Sequence, residues 1–116
     1  MLELLGRQLG ALLDVELEAA ELARQVELAE AQACRDPLTG LLNRRGWESL
    51  LATEEQRCLR YGHAACVLMI DLDELKRTND VLGHEAGDRL IEATALALRG
   101  ATRSQDVVAR VGGDEF

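Results

Sequence analysis

The sequence predicts an α/β fold in which one long N-terminal helix leads into a domain of helices packed on a sheet. Residues 1–34 contain no proline and repeat apolar side chains at steps of three and four, the period of an amphipathic helix. Residues 65–70 form an unbroken apolar run with β-branched members, as in a strand buried on both faces. Residues 85–99 return to the helical period, and Gly100 is the predicted end of that helix.

The composition fits one small domain plus a helix and excludes several classes of protein. With 116 residues there is no room for two domains. A net charge of −8 offers no basic stripe, so no nucleic-acid partner is predicted, and binding a polyphosphate would need metal ions to offset the repulsion. Three cysteines without metal-ligand spacing indicate reduced thiols in the cytoplasm. The longest apolar run, residues 64–70, is too short for a membrane segment.

The N-terminal helix, residues 1–35, carries a coiled-coil pattern over about four heptads. A narrow apolar stripe of this kind does not stabilise a lone helix. The pattern therefore favours a stalk that forms a parallel homodimer, and packing of the helix against its own domain is the alternative. Gln8 is the one polar residue at the a and d positions of this pattern, which form the apolar seam. The seam consists of Leu5, Gln8, Leu12, Val15, Ala19, Leu22, Val26, Ala29 and Ala33.

A turn at residues 36–40 separates this helix from the domain. The residue before Pro37 is disfavoured in the α conformation, so the first helix is predicted to end near Arg35. A second helix is predicted from about Gly46 to Tyr61. Gly62 follows it as a left-handed C-terminal cap.

Two pairs of carboxylates stand at the ends of predicted strands. Asp71 and Asp73 follow the apolar run, and alternation along a strand puts both on one side. Asp114 and Glu115 follow two glycines after a second predicted strand, residues 107–111. If the strand ends meet, the four carboxylates form a pocket suited to Mg²⁺ and a nucleotide triphosphate. Each pair by itself also fits a solvated acidic turn.

Three motifs are D-P-L-T-G-L-L-N-R-R at residues 36–45, D-x-D-x-x-K-x-x-N-D-x-x-G-H-x-x-G-D at residues 71–88, and G-G-D-E-F at residues 112–116. Together they resemble the motifs of bacterial GGDEF domains, the diguanylate cyclases. Glu74 and Leu75 depart from the pattern, because aromatic residues are frequent there in the family. The departures lie outside the positions that carry chemistry.

The resemblance implies a GGDEF domain over residues 36–116, with the first half of a palm-like nucleotidyl-cyclase fold that ends after the G-G-D-E-F turn. It implies Mg²⁺ or Mn²⁺ as cofactor, and the metal ligands are Asp71, the carbonyl group of Leu72, and Asp114. The catalytic residues it implies are Asp114 and Glu115. The substrate-binding residues it implies are Lys76, Asn79, Asp88, Gly112 and Gly113. Of these, Asn79 and Asp88 would read the guanine, and the two glycines permit positive φ and close approach of a ligand.

A further motif is R-x-x-D at Arg103 and Asp106, with five residues between Asp106 and Gly112. At this spacing it is similar to the inhibitory site of diguanylate cyclases, where the product binds. An arginine fork matches both guanine and phosphate, whereas a surface ion pair is the alternative interpretation. His84 is interpreted as a structural residue.

The activity that the resemblance implies is condensation of two GTP into cyclic di-GMP and two pyrophosphates, with two domains brought face to face by the stalk. The alternatives are a non-catalytic module that binds GTP or cyclic di-GMP, and a structural coiled-coil adaptor. In the family the chain continues beyond this turn with a hairpin strand, helices and basic residues. We therefore expect an exposed edge and a mobile tip at Phe116, and weak activity from these residues alone.

Overall fold

The N-terminal unit, Met1–Ala33, is a single helix in the computed structural model, which describes all 116 residues. Helix α1 spans Leu2–Ala33, and none of its residues is buried within the unit. Its apolar side chains are therefore free to pack against another chain or partner. The helix ends before Arg35, as the position of Pro37 predicts. No helix of the chain is both long enough and apolar enough to cross a membrane.

The second unit, Cys34–Phe116, contains three helices. Helix α2 spans Arg44–Tyr61, α3 spans Leu75–Leu82, and α4 spans His84–Ala101. Asn43 caps the start of α2 by accepting a hydrogen bond of 3.0 Å from the Gly46 N–H, so α2 begins two residues before the predicted start. At the other end, Gly62 has φ 70° and its N–H donates to the Cys58 carbonyl, which confirms the predicted cap.

Helices α3 and α4 pack against each other across Gly83, which has φ 87°. The sequence analysis predicted no separate helix for α3. It also predicted that α4 would end at Gly100, which is wrong: the helix continues to Ala101, and Thr102 is its C-terminal cap. A single glycine weakens a helix near its end but does not have to stop it.

The core of the second unit joins three parts of the chain. Leu41 follows the turn at residues 36–40, Ile91 and Ala95 come from α4, and Phe116 is the last residue of the chain. Leu41 is 2% exposed and Phe116 is 6% exposed. The exposed edge and mobile tip expected at Phe116 are therefore wrong, because its ring fills the core and its backbone pairs with Ile70.

The predicted strands are not formed as strands. Residues 65–70 were expected to be buried on both faces, yet Leu68 is 76% exposed, and no backbone group of residues 64–69 is hydrogen-bonded to another segment. Residues 107–111 make one parallel bridge, between Ala109 and Leu42. A strand requires a neighbour that satisfies its N–H and carbonyl groups, and residues 64–69 have none in this chain. These residues line an open apolar groove of about 740 Å³ beside α2.

Candidate active site

Two short segments, residues 70–72 and 114–116, pair side by side and are called the carboxylate corner below. The Ile70 N–H donates to the Phe116 carbonyl at 2.8 Å, and the Phe116 N–H donates back at 2.7 Å. The Leu72 N–H donates to the Asp114 carbonyl at 2.8 Å. This antiparallel pairing sets Asp71 opposite Glu115. Acidic segments that are more than 40 residues apart in the sequence therefore meet, as the strand-end argument predicted.

The corner gathers three carboxylates. Oxygen atoms of Asp71, Asp114 and Glu115 all lie within 4.8 Å of one another. Like charges at this separation repel unless a cation shares them, and hard cations such as Mg²⁺ prefer oxygen ligands. The carbonyl group of Leu72 accepts no hydrogen bond within the chain and adds a further oxygen at the corner. Asp73 is not part of the cluster, because the chain turns at Asp73 on its way into α3.

The turn at Gly112 and Gly113, beside the corner, depends on close contact with Glu115 rather than on a positive φ angle. The positive φ angles of the chain's glycines occur at Gly40, Gly62 and Gly83, so Gly112 and Gly113 do not use the positive φ that glycine permits. A Cβ atom at Gly112 would lie 3.0 Å from Glu115 Oε2, a distance that real side chains rarely tolerate. Gly113 has no neighbour within 4 Å of that position and leaves the backbone open.

Arg110 holds the turn in place, and the sequence analysis gave this residue no role. Its Nη2 donates to the Gly113 carbonyl at 2.8 Å, and its Nη1 donates to Asp36 Oδ1 at 3.2 Å. The Arg110 and Asp36 side chains are only 15% and 14% exposed. Arg44 adds a bond of 3.1 Å to the Val111 carbonyl. The turn is thus tied by side chains to the segment that starts the domain.

The Asp36 carboxylate has several partners besides Arg110. The Thr39 hydroxyl donates to it at 2.6 Å and the Thr39 N–H at 2.9 Å. Burial works to raise the pKa of Asp36, but the hydrogen bonds from Thr39 and the charge of Arg110 outweigh burial and hold that pKa below its usual value. The carboxylate is therefore charged and fixed at neutral pH.

An open cavity of about 450 Å³ lies against the corner. Four residues that the resemblance implicated line it: Lys76, Asn79, Gly113 and Asp114. Lys76 and Asn79 are three positions apart on α3 and so share one helix face. Asp114 belongs both to the cavity wall and to the carboxylate cluster.

The structure does not bring every implicated residue to this cavity. Asp88 is exposed on α4, and neither Asp88 nor Gly112 lines the cavity. Arg103 and Asp106 form a separate turn, in which the Asp106 carboxylate accepts from the Arg103 N–H at 2.9 Å. Their side chains make no ion pair, so the guanidinium of Arg103 stays exposed and unpaired.

Three further residues line the cavity that sequence reasoning did not assign to it: Leu75, Asp80 and His84. His84 is exposed and its side chain makes no hydrogen bond, so no contact supports the structural role expected for it. Its position at the start of α4, beside the end of α3, brings it to the cavity. No spacing in the sequence gave that signal, because it depends on how α3 and α4 pack.

Comparison with known proteins identifies related sequences. Residues 33–116 match the family described as diguanylate cyclase, GGDEF domain. The chain is 43% identical over 114 residues to the diguanylate cyclase TpbB of Pseudomonas aeruginosa. The alignment covers 97% of this chain and 26% of TpbB. It is 41% identical over 98 residues to the probable diguanylate cyclase DgcC of Escherichia coli, covering 84% of this chain and 26% of DgcC. The chain thus spans about a quarter of these relatives' length.

The fold also has relatives among solved structures. The coiled coil and GGDEF domain of DgcB from Caulobacter crescentus, in complex with c-di-GMP, matches with a TM-score of 0.79 and 28% identity. The match covers 91% of this chain and 56% of the DgcB chain. The second unit, Cys34–Phe116, is therefore similar in fold to solved GGDEF domains.

Proposed function

Because the chain belongs to the GGDEF-domain family of diguanylate cyclases, we propose that it condenses two molecules of GTP into cyclic di-GMP and two pyrophosphates. One observation carries the proposal. Asp114 stands both in the carboxylate cluster with Asp71 and Glu115 and in the cavity wall with Lys76 and Asn79. A single side chain thus joins a set of cation ligands to a cavity of a size that suits a nucleotide.

The oxygen atoms of the carboxylate corner fit Mg²⁺ or Mn²⁺ as cofactor. We assign Asp71, the Leu72 carbonyl and Asp114 as ligands, with Glu115 as an assisting ligand. Carboxylate and carbonyl oxygens are what these ions prefer, and the chain provides no nitrogen or sulfur ligand at the corner. When bound, such a metal stabilises negative charge on the attacking and leaving oxygens of phosphoryl transfer.

The cavity wall supplies groups that suit a guanine nucleotide. The Lys76 ammonium group can neutralise phosphate charge in a protein whose own net charge is −8. Gly113 leaves the backbone accessible to the triphosphate, and Gly112 lets the Glu115 carboxylate fold over the turn. We assign reading of the guanine to Asn79 at the cavity wall, helped by Asp88 on the neighbouring helix.

Asp114 and Glu115 are the proposed catalytic pair. A carboxylate at the edge of the cavity is suitably located to accept the proton of a ribose 3′-hydroxyl group as that oxygen attacks the α-phosphate of the second GTP. Glu115 lies beside Asp114 within the cluster and assists it as a second metal ligand.

The reaction needs two domains, because each domain has one nucleotide cavity of this kind. We propose that α1 supplies the second domain by pairing with α1 of another copy. Its apolar seam is exposed throughout the unit Met1–Ala33. Burial of the seam against the same seam of a second copy would stabilise both helices. The pairing raises the effective concentration of one domain near the other. The substrate GTP also makes the cytoplasm the proposed location.

We further propose that Arg103 and Asp106 form an inhibitory site for cyclic di-GMP. Asp106 fixes the turn through the Arg103 N–H, and the guanidinium is free to bind guanine or phosphate. For the domain as a whole, we propose the palm-like α/β fold of the nucleotidyl cyclases. The parallel bridge of Leu42 with Ala109 and the antiparallel pairing at the carboxylate corner support a sheet of that kind.

The proposal is tested by incubating the protein with GTP and Mg²⁺ and detecting cyclic di-GMP by chromatography. Asp114→Asn should lower the rate of cyclic di-GMP formation by a factor of about 100 or more, because the negative charge that the cation site and the cavity share is lost. Glu92→Gln is the matched control, since Glu92 is an exposed carboxylate of α4 outside the cavity. Unchanged turnover in Asp114→Asn would refute the assignment. Binding of cyclic di-GMP without any turnover would favour the non-catalytic alternative.

A further inference from the structure

The Asn79 side chain is held in one orientation by the helix beside it. Its Oδ1 atom is buried and has no hydrogen-bond partner. Buried polar atoms without partners are rare, and those that persist are often found at functional sites. The backbone of Asn79 is also fixed, because its carbonyl accepts from the Gly83 N–H at 2.9 Å. The carbonyl end of this amide is therefore turned away from solvent.

Gly87 on α4 is what allows this orientation. It is one of three buried residues of the helix. A Cβ atom placed on Gly87 would overlap Asn79 Oδ1 and would lie 2.8 Å from Cγ and 3.3 Å from Nδ2. Any side chain at position 87 would force the amide of Asn79 to move, or α3 and α4 to separate.

The orientation matters because of what it leaves for a ligand. With Oδ1 buried, the Nδ2 amino group is the part of Asn79 that can meet a base in the cavity, and it makes no hydrogen bond within the chain. An amino group donates to guanine O6 and N7. Adenine presents an amino group of its own at the position of O6, so the same amide favours guanine over adenine.

We propose that Gly87 is a positioning residue for base selection, because its missing side chain lets α4 hold the Asn79 amino group toward the nucleobase. This inference rests on the proposed function, in that the cavity is taken to bind GTP. Gly87 touches no ligand itself and acts through Asn79.

The test compares Gly87→Ala with Gly100→Ala. Gly100 lies on the same helix and has no atom within 4 Å of an added Cβ, so it controls for the general effect of replacing glycine by alanine in α4. Binding of GTP and of ATP, each with Mg²⁺, is measured by titration calorimetry on the full chain. Gly87→Ala should reduce the ratio of GTP to ATP affinity by about tenfold, whereas Gly100→Ala should leave it within about twofold.

A double variant separates positioning from packing. In the Asn79→Ala background the overlapping amide is gone, so adding Gly87→Ala should no longer change the ratio of affinities. Thermal unfolding should show the same coupling, with Gly87→Ala lowering Tm alone and much less in the presence of Asn79→Ala. An equal loss of GTP and ATP binding in Gly87→Ala, or an additive double variant, would overturn the proposal.

Failure of the proposed function can be told apart from failure of this inference. If the unaltered protein binds neither nucleotide, the assignment of the cavity to GTP is wrong. In that case the role of Gly87 in base selection is overturned as well, because it rests on the proposed function. The Tm values of the single and double variants then test only whether Gly87 and Asn79 are in contact.

Discussion

The carboxylate corner and residues 64–69 are neighbours in the sequence, yet they differ in backbone hydrogen bonding and in solvent exposure. At the corner the N–H and carbonyl groups of Ile70 and the N–H of Leu72 are hydrogen-bonded to residues 114–116, although three acidic side chains must be accommodated there. Residues 64–69 are more apolar but are exposed and unpaired. Within these 116 residues the acidic segment is hydrogen-bonded to a neighbouring segment, and the apolar segment is not.

The difference shows that apolar composition alone does not form a strand. Hydrogen-bond partners decide which residues of an extended segment pair as a strand, and side-chain contacts decide how stable that pairing is. At the corner both conditions are met, because Phe116 fills the core and Arg110 ties the turn to Asp36. Four predictions test this contrast, in order of decreasing effect.

The largest effect is expected from Phe116→Ala. Removing a ring that is 6% exposed from the core should cost about 3 kcal/mol of unfolding free energy. The matched change in the open segment, Leu68→Ser, should alter stability by less than about 0.5 kcal/mol, since Leu68 is mostly exposed. Urea unfolding of both variants measures the difference. Equal losses would mean that the contrast between the two regions is false.

Arg110→Ala should have the next largest effect. It removes charged hydrogen bonds to Gly113 and Asp36 and leaves a part-buried carboxylate without its cation, at a cost of about 2 kcal/mol. Arg77→Ala is the control, because the Arg77–Glu74 pair is exposed and should contribute less than about 0.5 kcal/mol. Denaturant unfolding compares the two. A loss as small as that of Arg77→Ala would show that Arg110 does not hold the turn.

Glu74→Gly should stabilise the protein by about 1 kcal/mol. Glu74 has φ 61° where the chain leaves the corner for α3, a conformation that costs about 1–2 kcal/mol for a residue with a side chain. Glu92→Gly, within α4, should instead destabilise by about 1 kcal/mol, because glycine is a poor helix residue. Thermal unfolding gives the sign for each variant. Destabilisation by Glu74→Gly would show that no strain is stored there.

The smallest effect is a dependence of stability on pH through Asp36. Its folded-state pKa is held below the unfolded value, so the charged carboxylate stabilises the fold above the unfolded pKa of about 3.9. This contribution is lost as pH falls through the folded pKa. The Tm difference between the unaltered protein and Asp36→Asn should therefore be constant from pH 7 to 5 and shrink below pH 4. A difference that stays constant to pH 2 would contradict the prediction.

Much of the candidate site could be predicted from sequence because its chemistry sits in short motifs. The motifs that resemble those of the GGDEF family pointed to Asp71, Asn79 and Asp114, and these residues do meet at one cavity or one cluster. The cap at Gly62 was also predictable, since left-handed conformation at a helix end selects glycine locally. By contrast, the bond between Arg110 and Asp36 spans 74 residues, and no local rule indicates such a pair.

The sequence by itself determined the long N-terminal helix, the C-terminal ends of the first two helices and the identities of the acidic and amide groups, because those depend on periodicity, proline and glycine within a few residues. Only the tertiary structure decided which extended residues pair, how closely Glu115 approaches Gly112, and how Gly87 leaves room for the Asn79 amide. Each of these depends on atoms that are distant in the chain and close in space. Contacts of that kind follow from packing, which no local pattern in the sequence encodes.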